Sequence, residues 1–176
     1  SLDDISGLAA IARNLDVEFS AQTVGIVDVM LSGINVNKEI RSEAAGKAAS
    51  KVAAIKEVRE ALLQRQRDFV EPPGLVCDGR DMGTVVFPQA ILKVYLTASA
   101  EVRAQRRLKQ LKDHGLNATL AGLIQEIQDR DFQDKNRTHA PLLPASDAIE
   151  IDSSHLSIDA VVSQVRSFYE SKKSTS

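Results

Sequence analysis

The chain has 176 residues, 43% hydrophobic and 26% charged, and a net charge of -2. That length and apolar content suit one globular domain with its own core. The near-neutral balance speaks against broad binding to a nucleic acid polymer or an anionic membrane, but leaves room for a small basic pocket around a phosphorylated ligand. Cys77 is the sole cysteine, which excludes an internal disulfide framework and a thiolate metal cluster and suits a reducing cytoplasm. Asp3, Asp4, Arg13, Asp16 and Glu18 interrupt the apolar residues of the opening stretch, so it reads neither as a signal peptide nor as a membrane span.

Ile5, Leu8, Ile11 and Leu15 stand in helical register from the start, as in a helix entered part-way, with further chain expected upstream. Val17 to Phe19, Gly25 to Leu31 and Ile34 to Val36 read as short strands, the last two joined by a Ser32-Gly33 turn, which predicts a small antiparallel sheet. Lys38 to Ile55 is Ala-rich and helical, and Glu57 to Phe69 forms a second helix stopped by Pro72-Pro73-Gly74.

Leu75 to Cys77, Ile91 to Thr97 and Ala148 to Ile151 are compact apolar runs of the buried parallel kind, with helices on either side in sequence. The pattern is α/β. Ala100 to Lys112, opened by Ser99 as N-cap, and Leu120 to Asn136 form a helical hairpin broken at Gly115. Ile158, Val161, Val162, Val165 and Phe168 give the last helix an apolar face, and Ser171 to Ser176 reads as a frayed tail.

Three charged groups could carry chemistry. Asp78-Gly79-Arg80-Asp81-Met82-Gly83-Thr84 follows an apolar run and so is expected at the carboxyl end of a strand, where open α/β sheets place ligands. A charged surface turn with local ion pairs is the bland alternative. Arg130, Asp134 and Arg137, at spacings of four and seven, share one helical stripe. There, two guanidinium forks can grip phosphate oxygens and a carboxylate can accept from a sugar hydroxyl. A solvated ion-pair ladder competes with that use. Arg103, Arg106 and Arg107 line one face of the preceding helix, suited either to a triphosphate or simply to solvent. His114, His139 and His155 are scattered and are assigned no chemistry. Tyr95 and Tyr169 read as packing residues, and a 4% aromatic content offers no stacking platform for single-stranded nucleic acid.

Four runs together carry a resemblance. Ala48-Ala49-Ser50-Lys51-Val52-Ala53, Val58-Arg59-Glu60-Ala61-Leu62, Cys77 to Pro88 (CDGRDMGTVVFP) and Arg130 to Arg137 occur in this order and resemble cytidylate kinases of the bacterial type over essentially the whole chain. The resemblance implies a P-loop NTPase-like α/β fold: a parallel sheet flanked by helices, with a small antiparallel insertion and a helical lid. In those terms residues 1–176 form a single incomplete kinase domain, 16–37 the β-rich part of the nucleoside-monophosphate-binding insertion, and 99–140 the lid region.

It also implies roles. Asp81 accepts from the cytosine amino group, with Arg59 and Ser50 completing base recognition. Arg80 and Arg137 hold the acceptor phosphate, while Arg130 and Asp134 lie at the sugar. Arg103, Arg106 and Arg107 cover ATP, and Asp78 organises Mg2+ through water, with no direct protein ligand to the metal. The implied reaction is ATP-dependent phosphorylation of CMP and dCMP by a cytoplasmic monomer. A cytidylate-binding fragment without transfer activity, or an inactive structural relic, remains the alternative. One departure stands out: no GxxxxGK run ending in Ser or Thr occurs in the sequence, although such a loop cradles the triphosphate. The N-terminal strand, P-loop and helix are therefore expected to be missing, roughly the first fifty residues of the P-loop unit, and this polypeptide is expected to be weakly active or inactive.

Overall fold

The computed structural model describes residues 3–23, 26–113 and 117–174. Backbone contacts gather into two units, Ser1–Leu75 and Val76–Ser176.

In the first unit, α1 (Ile5–Arg13) starts where the Asp4 carboxylate accepts from the Gly7 amide at 2.9 Å, satisfying one of the free N–H groups of the first turn. It packs on α4 (Lys56–Asp68). The expected helix is present, with Ala9 and Ala12 buried and Ile11 64% exposed. Positions 9 and 12 share a side of a helix turning 3.6 residues per turn, and position 11 points away from it.

β1 (Val17–Thr23), β2 (Ile26–Leu31) and β3 (Ile34–Asn35) form an antiparallel sheet in that order. Val17 pairs with Leu31, Phe19 with Val29, and Leu31 with Ile34. The turn residues Ser32 and Gly33 both take positive φ, 49° and 76°, the geometry that matches a two-residue hairpin to the twist of its strands. Gly25, expected to open the second strand, lies outside the described residues. The expected helix from Lys38 to Ile55 is instead two, α2 (Asn37–Ile40) and α3 (Glu43–Val52). Ser42 divides them: its hydroxyl donates to the Glu39 carbonyl at 2.7 Å and accepts from the Ala45 amide at 3.2 Å, and such side-chain bonds compete with a continuous helix. Arg65 of α4 donates to the Val17 carbonyl at 3.1 Å, and Phe69 meets Phe19 edge-on at 5.2 Å, joining α4 to the sheet.

In the second unit, β4 (Val94–Thr97) and β5 (Ile149–Asp152) pair in parallel, with Val94 opposite Ile149 and Thr97 opposite Asp152. Between them run α5 (Ala100–Asp113) and α6 (Leu120–Asn136), packed together with Ala104 and Leu123 buried. Ser99, the expected N-cap, accepts from the Val102 amide at 3.2 Å, and Thr119 caps α6 in the same way, accepting from the Gly122 amide at 3.2 Å. The expected break at Gly115, with His114 beside it, lies outside the described residues. α7 (Ile158–Lys173) follows β5, capped by Ser157.

Several expectations fail here, and the strand expected from Ile91 begins only at Val94. Leu75 to Cys77 forms no strand, and Val76 is fully exposed. An apolar run becomes a strand only through ladder bonds to a neighbour, and among the described residues β4 and β5 pair only with each other. On α7, Val161, Val165 and Phe168 are half-buried, but Ile158 and Val162 are exposed, so the covered stripe is narrower than the sequence pattern. Ser171 to Lys173 continue the helix rather than fray, and residues 175 and 176 lie outside the description. No helix among the described residues is long and apolar enough to cross a membrane.

Candidate active site: a carboxylate among three arginines

The second unit brings the segment around Arg80 to the end of α6. Asp78, Gly79 and Arg80 have irregular backbone. A Cβ on Gly79 would come within 2.8 Å of Met82 Cγ and Cε, so the missing side chain is what lets Met82 fold back over the loop. Residues Met82–Val86 then form a single π-helical turn. The Asp81 carbonyl accepts from the Val85 and Val86 amides at 2.9 and 3.2 Å, and the Phe87 amide donates to Met82 at 2.7 Å. Such one-turn π segments recur at functional sites. Asp81 is 6% exposed and Val86 is buried, so the turn is rooted in the interior at both ends.

Asp134, in the last turn of α6, is also buried. Its Oδ2 accepts from Arg80 Nε at 2.8 Å, while Arg130 Nε lies 3.9 Å from the same oxygen and Arg137 Nη1 lies 3.8 Å from Oδ1. Arg137 has left the helix: its backbone is extended, with φ -66° and ψ 142°, and its Nε donates to the Ala140 carbonyl. The Leu142 amide returns to the Asp134 carbonyl at 2.8 Å and closes the connection. Three guanidinium groups about one carboxylate leave a local excess of positive charge, and their planar forks match phosphate oxygens.

The other sequence-derived candidates sit elsewhere. Arg103 donates from Nη1 and Nη2 to the two Asp131 oxygens at 2.9 and 2.5 Å and from Nε to the Ala98 carbonyl at 3.0 Å, tying α5 to α6. These bonds hold the Asp131 carboxyl below its ordinary range despite its partial burial, and raise the Arg103 guanidinium. Arg106 donates to the Ser153 carbonyl and hydroxyl at 2.6 and 3.1 Å, at the carboxyl end of β5. Arg107 is half-buried on the same helix. Asp78 is exposed, as is Cys77 beside it, whose thiol is pushed up by partial burial and by the Asp78 charge. Ser50 and Arg59 belong to α3 and α4 of the first unit, both half-buried, with Arg59 Nη1 donating to the Ala53 carbonyl at 3.3 Å.

Of the candidates, then, Arg80, Arg130, Asp134 and Arg137 converge, with Asp81 following Arg80 in the chain. Asp131 was missed as the partner of Arg103. Its signal was an acid directly after Arg130, one helical turn ahead of Asp134.

A family model described as cytidylate kinase matches residues 1–171. A cytidylate kinase of Aliivibrio salmonicida is 56% identical over 166 residues, covering 94% of this chain and 74% of the relative. One from Colwellia psychrerythraea is 51% identical over 172 residues, 98% of this chain and 76% of the relative. Cytidylate kinase 1 of Haemophilus influenzae is 50% identical over 167 residues, 95% and 72% respectively. The family model and relatives at this level of identity cover nearly all of the chain, and the chain belongs to the cytidylate kinase family.

Proposed function

We propose that this chain carries the acceptor-nucleotide site of a kinase that moves the γ-phosphoryl group of ATP to CMP or dCMP. Membership of the family brings phosphotransferase chemistry and a P-loop NTPase α/β fold. In the reaction an acceptor phosphate oxygen attacks the γ-phosphorus, the bond to the β–γ bridging oxygen breaks, and ADP leaves. No covalent protein intermediate is required; the protein's part is to position oxygens and to supply positive charge around the moving group.

The observation that carries this reading is the gathering of Arg80, Arg130 and Arg137 about Asp134. Arg80 and Arg137 would hold the monoester oxygens, and Arg130 and Asp134 the sugar. Asp81 would accept from the cytosine amino group, whereas uracil would turn an oxygen toward the carboxylate. Arg59 and Ser50 enter base recognition on the family motifs alone. Arg103, Arg106 and Arg107, within a lid of residues 99–140, would exchange bonds inside the chain for ATP oxygens, and residues 16–37 would form the β-rich part of the monophosphate-binding insertion. Mg2+ would arrive on the ATP phosphates. Asp78, a single exposed carboxylate, suits a water-mediated contact to an ion carried by substrate. Since the sequence holds no GxxxxGK run ending in Ser or Thr, nucleotide binding is the property to measure in this chain.

An Arg137→Lys variant tests the phosphate assignment. One ammonium cannot reproduce the guanidinium fork, so CMP affinity should fall by roughly 10- to 100-fold, the worth of a charge-assisted hydrogen bond. Affinity for cytidine, which lacks the phosphate, should stay the same. Calorimetric titration of both ligands reads the difference, and an unchanged CMP affinity would remove Arg137 from the phosphate site.

A further inference from the structure

Lys93, immediately before β4, has a side chain only 8% exposed. Its backbone is fixed by the sheet, because the Ile149 amide donates to its carbonyl at 2.9 Å. Its Nζ reaches three acceptors: the Pro88 carbonyl at 2.5 Å and the two Asp147 oxygens at 2.9 and 2.8 Å. An ammonium has three protons to donate, so the head group is saturated and its direction is set.

The stem is engaged as well. A Cβ placed on Gly83 would lie 3.2 Å from Lys93 Cδ and 3.4 Å from Cγ, so the π turn runs against the lysine chain with no room to spare. Lys93 therefore holds the Met82–Val86 turn at two points, its stem against Gly83 and its ammonium on Pro88 just past the turn. Through the carbonyl of Asp81, which accepts the turn's amides, that hold extends to Asp81 and to Arg80 before it.

We infer that Lys93 is a positioning residue for the acceptor-nucleotide site: it fixes the π turn from the sheet side and thereby sets Arg80 against Asp134 and Asp81 against the base. Asp147, 57% exposed, is the outer half of the same device. The inference rests on the reading of Arg80 and Asp81 as ligand-binding groups, and one arm of its test needs no ligand.

That arm measures solvent exchange of the Arg80 Nε–H by nuclear magnetic resonance in Lys93→Met, which keeps the stem and removes the donors. The Arg103 Nε–H, on α5 and bonded to the Ala98 carbonyl that precedes the helix, serves as internal reference. The Arg80 proton should exchange about 10-fold faster, the CMP Kd should rise about 10-fold, and Arg103 should be unchanged, as for loss of roughly one charged hydrogen bond. In Asp147→Ala, where an exposed residue is removed, both effects should appear at about 3-fold, which keeps the test available if Lys93→Met does not fold. An unchanged CMP Kd in a folded variant, or equal acceleration at Arg80 and Arg103, would overturn the inference. If the unaltered chain does not bind CMP, the proposed function fails, and the Arg80 exchange rate alone decides the role of Lys93.

Discussion

An Asp134→Ala variant should lose both stability and nucleotide affinity. The carboxylate is buried and accepts from Arg80 at 2.8 Å, with Arg130 and Arg137 within 4 Å. Its removal leaves three cations gathered without the charge that draws them together. A fully buried pair broken on one side costs several kcal/mol, but the Arg80 and Arg130 side chains are 40% and 50% exposed, and water screens them. A loss of about 2 kcal/mol is therefore expected, close to one charge-assisted hydrogen bond. CMP affinity should drop on the order of 100-fold, because the sugar loses its acceptor and Arg80 its anchor. Chemical denaturation and calorimetric titration measure the two effects. A variant with unaltered stability and affinity would mean that the arginine cluster is a solvated ion-pair ladder.

The second large effect is on specificity. In Asp81→Asn the side chain keeps its size but gains an amide that can turn either oxygen or nitrogen toward the base. The carboxylate offers only acceptors, which suit the cytosine amino group and repel the uracil oxygen in a site where Asp81 is 6% exposed. Each mispaired buried polar group costs about 1–3 kcal/mol. Cytosine preference should therefore fall from on the order of 100-fold to within about 3-fold. The comparison is made by competition of CMP and UMP for the variant. Retained discrimination would assign base reading to another residue.

Much of the fold was legible because its signals are local. Ser99 ahead of Ala100 and the Ser32-Gly33 pair each fix an element boundary within a few residues. The failures lie where the outcome depends on distant partners. Leu75 to Cys77 has the composition of a buried strand, but strand formation depends on a neighbour that its own residues do not encode. Ser42 is the local exception: its hydroxyl splits a run whose alanines otherwise favour one helix.

The candidate site divides in the same way. The stripe of Arg130, Asp134 and Arg137 follows from helical spacing, although Arg137 turns out to be the cap that ends α6. The bond from Arg80 to Asp134 spans residues 54 positions apart, and no periodicity can reveal it. Family motifs named both residues, but for different parts of the nucleotide. Lys93 carried no sequence signal because its role lies in packing against Gly83 and in donors directed at Pro88 and Asp147.

The most direct test of a cytidylate site in this chain is calorimetric titration of the unaltered protein with CMP and with UMP under the same conditions. Saturable binding of CMP, on the order of 100-fold tighter than UMP, is the expected result. Equal affinities, or no binding of either nucleotide, would contradict it.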